Sequence, residues 1–218
     1  MSAIDPKPVG EPDGSGTRDK ALDFWFEFGS NYSYLSVMRI EAAAARAAVR
    51  ICWKPFLLGP IFRSLGWSSS PFVQQKEKGE YVWRDMARQC AKYGLPWKHP
   101  TSFPRRALLP MRVALYGARE PWIGEFCRRI MCANFAEDQD IDSPRLVGPI
   151  LEELGVAAGT VLQGAQSETN KQLLREQTER ARALGIFGAP TFFVGEEMFW
   201  GNDRLEDALA QCSAAPRG

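Results

Sequence analysis

Residues 21–33 read ALDFWFEFGSNYS, and the alternation in their first half decides the architecture. Leu22, Phe24, Phe26 and Phe28 fall on one side of an extended chain, so 21–28 is expected as a strand that Gly29 breaks. Ser30, Asn31 and Ser33 then offer cap oxygens to a helix expected over 32–48, where the alanine-rich run 42–48 is strongly helix-forming. Residues 49–56, VRICWKPF, read as a second strand ending at Pro55. A β-α-β opening implies a parallel pair with a right-handed connection.

Further along, the pattern turns helical, with helices expected over 81–93, 106–118, 122–135, 144–154 and 168–184, separated by Pro and Gly. Strand patterning returns at TFFV (191–194) and near 198–200 across a turn at Gly195 and Glu196, and a helix over 204–211 follows. The two ends together supply a four-stranded sheet. The chain therefore reads as an α/β thioredoxin-like fold interrupted by a large α-helical insertion. Residues 1–20, rich in Pro and Gly and poor in apolar side chains, are expected as a disordered leader. Residues 21–56 and 185–218 form the thioredoxin-like domain in this reading, and 57–184 the helical insertion.

Composition narrows the function. With 27 Lys+Arg against 26 Asp+Glu in 218 residues, the chain lacks the basic excess of a nucleic-acid or anionic-lipid binder. Its 45% hydrophobic and 24% charged residues are ordinary for a globular protein. No apolar run is long enough to span a bilayer, and the N-terminus lacks the order of a secretory signal, so the cytoplasm is expected. The five cysteines match neither a disulfide framework nor a zinc site and are expected as reduced thiols. His99, the one imidazole, sits in a proline-rich stretch and is expected to be solvated, which disfavours a Ser-His-Asp triad or a His-rich metal site.

In a thioredoxin architecture the reactive group lies where the first strand of the β-α-β unit meets its helix. Here that junction is Ser30-Asn31-Tyr32-Ser33, so neither end can form a disulfide and dithiol chemistry is disfavoured. Gly188-Ala189-Pro190-Thr191 precedes the TFFV strand, where such folds place a cis-proline. A cis bond there would turn the backbone of Ala189 toward an extended peptide, as an added strand would pair with it.

Five collinear blocks carry a family resemblance: DFWFEFGSNYSYLS (23–36), WKPFLLGPIFR (53–63), YVWRDMARQCAKYGLPW (81–97), FPRRALLPMRVAL (103–115) and GIFGAPTFFVGEEMFWGNDRLE (185–206). The chain resembles the 2-hydroxychromene-2-carboxylate isomerases, in the kappa-class glutathione transferase branch of the DsbA-like thioredoxin superfamily. One departure is Asn31, where that family usually has Pro. The resemblance implies a glutathione-dependent isomerase of naphthalene-type degradation, interconverting 2-hydroxychromene-2-carboxylate and trans-o-hydroxybenzylidenepyruvate. Thiolate addition to the conjugated carbon, rotation about the resulting single bond and elimination would accomplish it.

The resemblance also implies roles. Ser30 would stabilise the glutathione thiolate, although a serine before a helix is also an ordinary N-cap. Ala189, ahead of Pro190, would pair through its backbone with the cysteinyl part of the tripeptide. Asn202 and Asp203 would bind the γ-glutamyl end, or serve simply as helix caps. Arg63 would meet the glycine carboxylate. Trp83, Arg84, Phe103 and Arg112 are candidates for the aromatic-acid substrate, with core packing or a surface Arg84–Asp85 pair as the alternatives. Relatives of this kind imply a homodimer. The competing readings are a kappa-type transferase or peroxidase on another hydrophobic electrophile, and a redox-dead peptide-binding module.

Overall fold

The computed structural model describes residues 20–214. The leader expected over 1–20 lies, save for Lys20, outside the described residues. The sheet has the order β2-β1-β3-β4, built from β1 (Ala21–Phe26), β2 (Arg50–Pro55), β3 (Thr191–Val194) and β4 (Glu197–Trp200). β1 and β2 pair in parallel across helix α1 (Asn31–Ala47), whereas β3 and β4 run antiparallel to their neighbours. The mixed sheet expected from the two ends of the chain is thus present, with a run of helices between them.

Those intervening helices are α2 (Leu58–Ser64), α3 (Pro71–Gln74), α4 (Lys76–Tyr93), α5 (Leu108–Tyr116), α6 (Ile123–Phe135), α7 (Pro144–Glu153), α8 (Ala158–Ala165) and α9 (Glu168–Ala183). After β4 a single 3-10 turn, Asn202–Arg204, leads into α10 (Leu205–Ser213). Three of these helices were absent from the sequence reading: α2, α3 and α8. Each has at most 8 residues, too few for a 3.6-residue period to declare itself, and α2 and α8 begin without a side-chain cap.

The alternation of β1 sets the core. Phe24 is fully buried, with its ring centroid 5.1 Å from Phe26, 5.4 Å from Trp53 and 5.3 Å from Phe192, so one sheet face is an aromatic layer spanning three strands. Truncating such a ring to Ala costs about 3–5 kcal/mol in a well-packed core. The opposite face is also covered. Trp25 is buried there with Leu58 and Ile61 of α2, Ala181 of α9, Phe193 of β3, and Phe56 and Ile186 from the adjoining loops. Phe28, beyond the strand, packs edge-on against Phe26 and Phe126.

Candidate active site

β1 delivers the chain to α1 through a tight turn. The N–H of Ser30 donates to the Glu27 carbonyl at 3.1 Å, and Ser30 then caps α1, its Oγ accepting from the Ser33 N–H at 3.2 Å. Gly29 keeps this turn tight: a Cβ there would lie 3.0 Å from Glu27 Oε2 and 3.1 Å from the Arg105 carbonyl, so one of them would have to give by a few tenths of an ångström. The Ser30 hydroxyl donates to the carbonyl of Ala189 at 2.8 Å. One short bond therefore joins two motifs 159 residues apart, and the Ala189–Pro190 peptide that follows is cis. Pro190 is held in turn, its carbonyl accepting from Gly201 at 3.0 Å, while Thr191 Oγ1 donates to Gly188 at 2.9 Å.

These groups form the floor of a cavity of about 1220 Å³. Ser30, Arg63, Phe103, Ala189, Asn202 and Asp203 all line it. Pro190 is buried beneath, outside the lining. Asn202 is committed as well as buried, because its Oδ1 accepts from Ser36 Oγ at 3.1 Å and from Arg39 Nη1 at 2.8 Å. Arg39 also pairs with Glu206 and lies 3.8 Å over the Tyr93 ring, so Asn202 ties α1 to the start of α10. Asp203 is exposed, and Arg204 reaches its carboxylate at 3.0 Å. Arg63 is exposed at the rim, with no carboxylate partner among the described residues.

Three candidates for substrate contact lie off the cavity wall. Trp83 turns into an aromatic cluster, with its ring 6.0 Å from Trp97 and 4.6 Å from both His99 and Phe103, so only Phe103 of that group presents to the cavity. Arg84 is exposed on α4 away from the wall, and the anticipated pair with Asp85 does not form. Asp85 instead accepts from the Tyr32 hydroxyl at 2.8 Å and meets Arg88 at 3.6 Å. Arg112, half-buried on α5, lies near the start of α9, where the Glu168 carboxyl is lowered first by Lys171 and only in small part by Arg112. In each case the helical period placed the residue on a different side from the cavity.

The walls come from residues that motif reading passed over. Phe62 and Trp67 stand 5.7 Å apart on one side, and Phe187 and Trp200 stand 4.7 Å apart on another. Gly188 is seated against Trp200, where a Cβ would come within 2.5 Å of the indole nitrogen. Phe72 and Tyr81 complete the aromatic lining, and Lys78 lies 5.8 Å above the Phe72 ring. Glu27, half-buried on the floor, has its carboxyl pushed up to about 7, chiefly because burial disfavours the charged form and only partly offset by the Gly29 N–H. The Tyr32 hydroxyl is raised well above its usual range by burial first and by Asp85 second.

Glutathione fits this donor set. A hydroxyl at a helix N-terminus, with first-turn N–H groups beside it, favours a sulfur anion. Arg63 and Asp203 present opposite charges, as the two ends of a γ-glutamyl tripeptide require. The volume exceeds that of most single-ligand pockets, so a tripeptide does not exhaust it.

The fold and junction together define a thioredoxin-type protein without a redox dithiol. The chain belongs to the DsbA-like thioredoxin family, whose domain model matches residues 21–212. Within it, the chain is similar to the 2-hydroxychromene-2-carboxylate isomerase of Pseudomonas putida, with 28% identity over 185 residues, 84% of this chain and 90% of that protein. A solved 2-hydroxychromene-2-carboxylate isomerase structure superposes with a TM-score of 0.79 at 27% identity, covering 88% of this chain and 95% of its own. Glutathione S-transferase kappa 2 of Caenorhabditis elegans is 26% identical over 215 residues, covering 90% of this chain and 95% of the relative.

Proposed function

We propose that this chain is a glutathione-dependent isomerase interconverting 2-hydroxychromene-2-carboxylate and trans-o-hydroxybenzylidenepyruvate. The observation that carries this reading is the Ser30 hydroxyl, 2.8 Å from the Ala189 carbonyl on the floor of a large aromatic-walled cavity. The similarity to named isomerases supports it. Bound glutathione would supply a sulfur nucleophile that adds reversibly to a conjugated carbon and leaves again unchanged.

The protein's own task is to hold that sulfur ionised and to orient the acceptor. Ser30 has one hydroxyl hydrogen, and in the free protein it is given to a neutral carbonyl. Turning it toward an anion exchanges a neutral hydrogen bond for a charge-assisted one, which is about twice as strong. Ala189 would align the cysteinyl segment, Asp203 would meet its α-ammonium and Arg63 its glycine carboxylate. Phe62, Trp67, Phe103 and Trp200 provide flat apolar surfaces for an aromatic acid. Lys78 is the other lining cation without a carboxylate partner among the described residues, and it would face the pyruvate carboxylate. Such chemistry needs reduced glutathione, and the five cysteines are free thiols, which agrees with a cytoplasmic setting.

The test is spectrophotometric equilibration of 2-hydroxychromene-2-carboxylate with and without glutathione. The wild type is expected to show glutathione-dependent turnover, and Ser30→Ala to lose roughly two to three orders of magnitude in kcat. Equal rates with and without glutathione would sink the reading. No turnover, but ionisation of bound glutathione near neutral pH, would move the assignment to a kappa-type transferase acting on another hydrophobic electrophile, for which the same walls are suited.

A further inference from the structure

We propose that Asn31 completes the sulfur-anion site, donating to it through its side-chain amide and its own backbone N–H; this rests on the glutathione reading above. The starting point is an inventory of donors on the cavity floor. Ser30 has a single hydrogen, which Ala189 holds. The Ser33 N–H is taken by Ser30 Oγ, and the Tyr34 N–H by the Ser30 carbonyl at 3.3 Å. Among the described residues, the N–H groups of Asn31 and Tyr32 have no partner, as expected of the first turn of a helix.

A second, independent observation concerns the Asn31 side chain. Asn31 is 1% exposed, lines the cavity, and its Nδ2 is buried without a hydrogen-bond partner. Buried amides are nearly always satisfied, and one left open at a cavity floor is a donor in want of an acceptor. No hydrogen bond holds the Asn31 amide among the described residues, so rotation about its terminal torsion toward an anion in the cavity breaks no internal bond. An anion beside Ser30 would then receive the Asn31 amide, the Asn31 N–H and the Tyr32 N–H, all at the positive end of a 17-residue helix. The thiol proton leaves to solvent through the cavity mouth. Ser30 becomes one donor among several, and the only one that must first release a partner.

Three variants separate the contributions. Asn31→Ala removes the amide and keeps the backbone N–H. Asn31→Pro removes both, yet suits the first helical position, and Ser30 at φ −84 and ψ 116 is compatible with a following proline. Asn31→Ser keeps a short donor. The readouts are ultraviolet titration of the bound glutathione thiolate and calorimetric affinity for S-methylglutathione, which has no thiol to ionise.

The thiol midpoint is expected to rise by about one pH unit in Asn31→Ala and about two in Asn31→Pro, with Asn31→Ser between wild type and Ala. Affinity for S-methylglutathione should stay within about threefold throughout. If S-methylglutathione binds all the proteins alike and the thiol midpoint does not move, Asn31 is no donor to sulfur and the proposal is overturned while the cofactor reading survives. If the wild type binds neither ligand, the cofactor reading falls and takes the Asn31 role with it. Should Asn31→Ala fail to fold, an equal midpoint in Asn31→Ser and Asn31→Pro overturns the proposal by itself.

Discussion

Replacing Glu27 by Gln is expected to stabilise the protein in a pH-dependent way. The Glu27 carboxyl lies at the end of β1 beside Gly29, whose N–H it accepts, and no cation pairs with it among the described residues. Burial moves its midpoint from the usual 4.5 to about 7. Between those values the folded protein holds a proton that the unfolded chain has released. The unfolded state therefore binds fewer protons, and stability falls as pH rises from about 4.5 to about 7, then levels off. A shift of about 2.5 units corresponds to at most about 3 kcal/mol. Because the side chain is only half-buried and lines the cavity, about 1–2 kcal/mol is the better figure.

Gln keeps the shape and the acceptor for Gly29 but has no charge to desolvate. Urea unfolding of both proteins from pH 4 to pH 9 should give coincident stabilities at the acid end and a gap of about 1–2 kcal/mol above pH 7.5, with unchanged m-values. In thermal melts the gap should appear as about 2–8 °C, the range set by a domain of this size. Stability curves that run parallel across the whole range would refute the reasoning, since they would show that Glu27 titrates alike in the folded and unfolded chains.

Other consequences are open to equally direct measurement. Asn202→Ala removes the acceptor shared by Ser36 and Arg39, leaving a largely buried guanidinium short of one bond, and should lower stability by about 1–3 kcal/mol in urea melts. Arg63→Ala should weaken glutathione binding about tenfold, yet leave γ-glutamylcysteine, which lacks the glycine carboxylate, bound as before. Equal losses for both ligands would remove Arg63 from the site. Gly29→Ala should cost about 1–3 kcal/mol, because the new methyl meets the Arg105 backbone as well as the Glu27 carboxylate. Phe24→Ala should cost about 3–5 kcal/mol, as it opens the aromatic layer between three strands.

What the sequence disclosed, and what it hid, follows from the range of the interactions involved. β1, α1 and β2 were legible because alternation and a cap are local signals, and they fell within two residues of their observed ends. Ser30 and Ala189 were legible because each sits where one element meets the next. The burial of Trp25 on the second sheet face was not, since it depends on α2 and α9 arriving from elsewhere in the chain. α4 was read from Tyr81 onward, although it starts at Lys76, because KEKGE has almost no apolar period; its Gly79 packs so closely on the Phe72 carbonyl that a Cβ would sit 2.3 Å away. Trp83 had the right chemistry for an aromatic ligand, but Trp97, His99 and Phe103 occupy its faces. The pairs Phe62–Trp67 and Phe187–Trp200 emerge only once the segments that carry them face one cavity.

The hydrogen bond from Ser30 to Ala189 spans 159 residues, yet much of the aromatic wall above it comes from the stretch between. The floor is made by the termini of the fold and the roof by its middle. Substitutions along residues 57–81 can therefore recut the walls of the cavity while its floor stays as it is. Exchanging that one contiguous stretch with the matching stretch of a relative should therefore change the shape of the wall and leave the floor as it was.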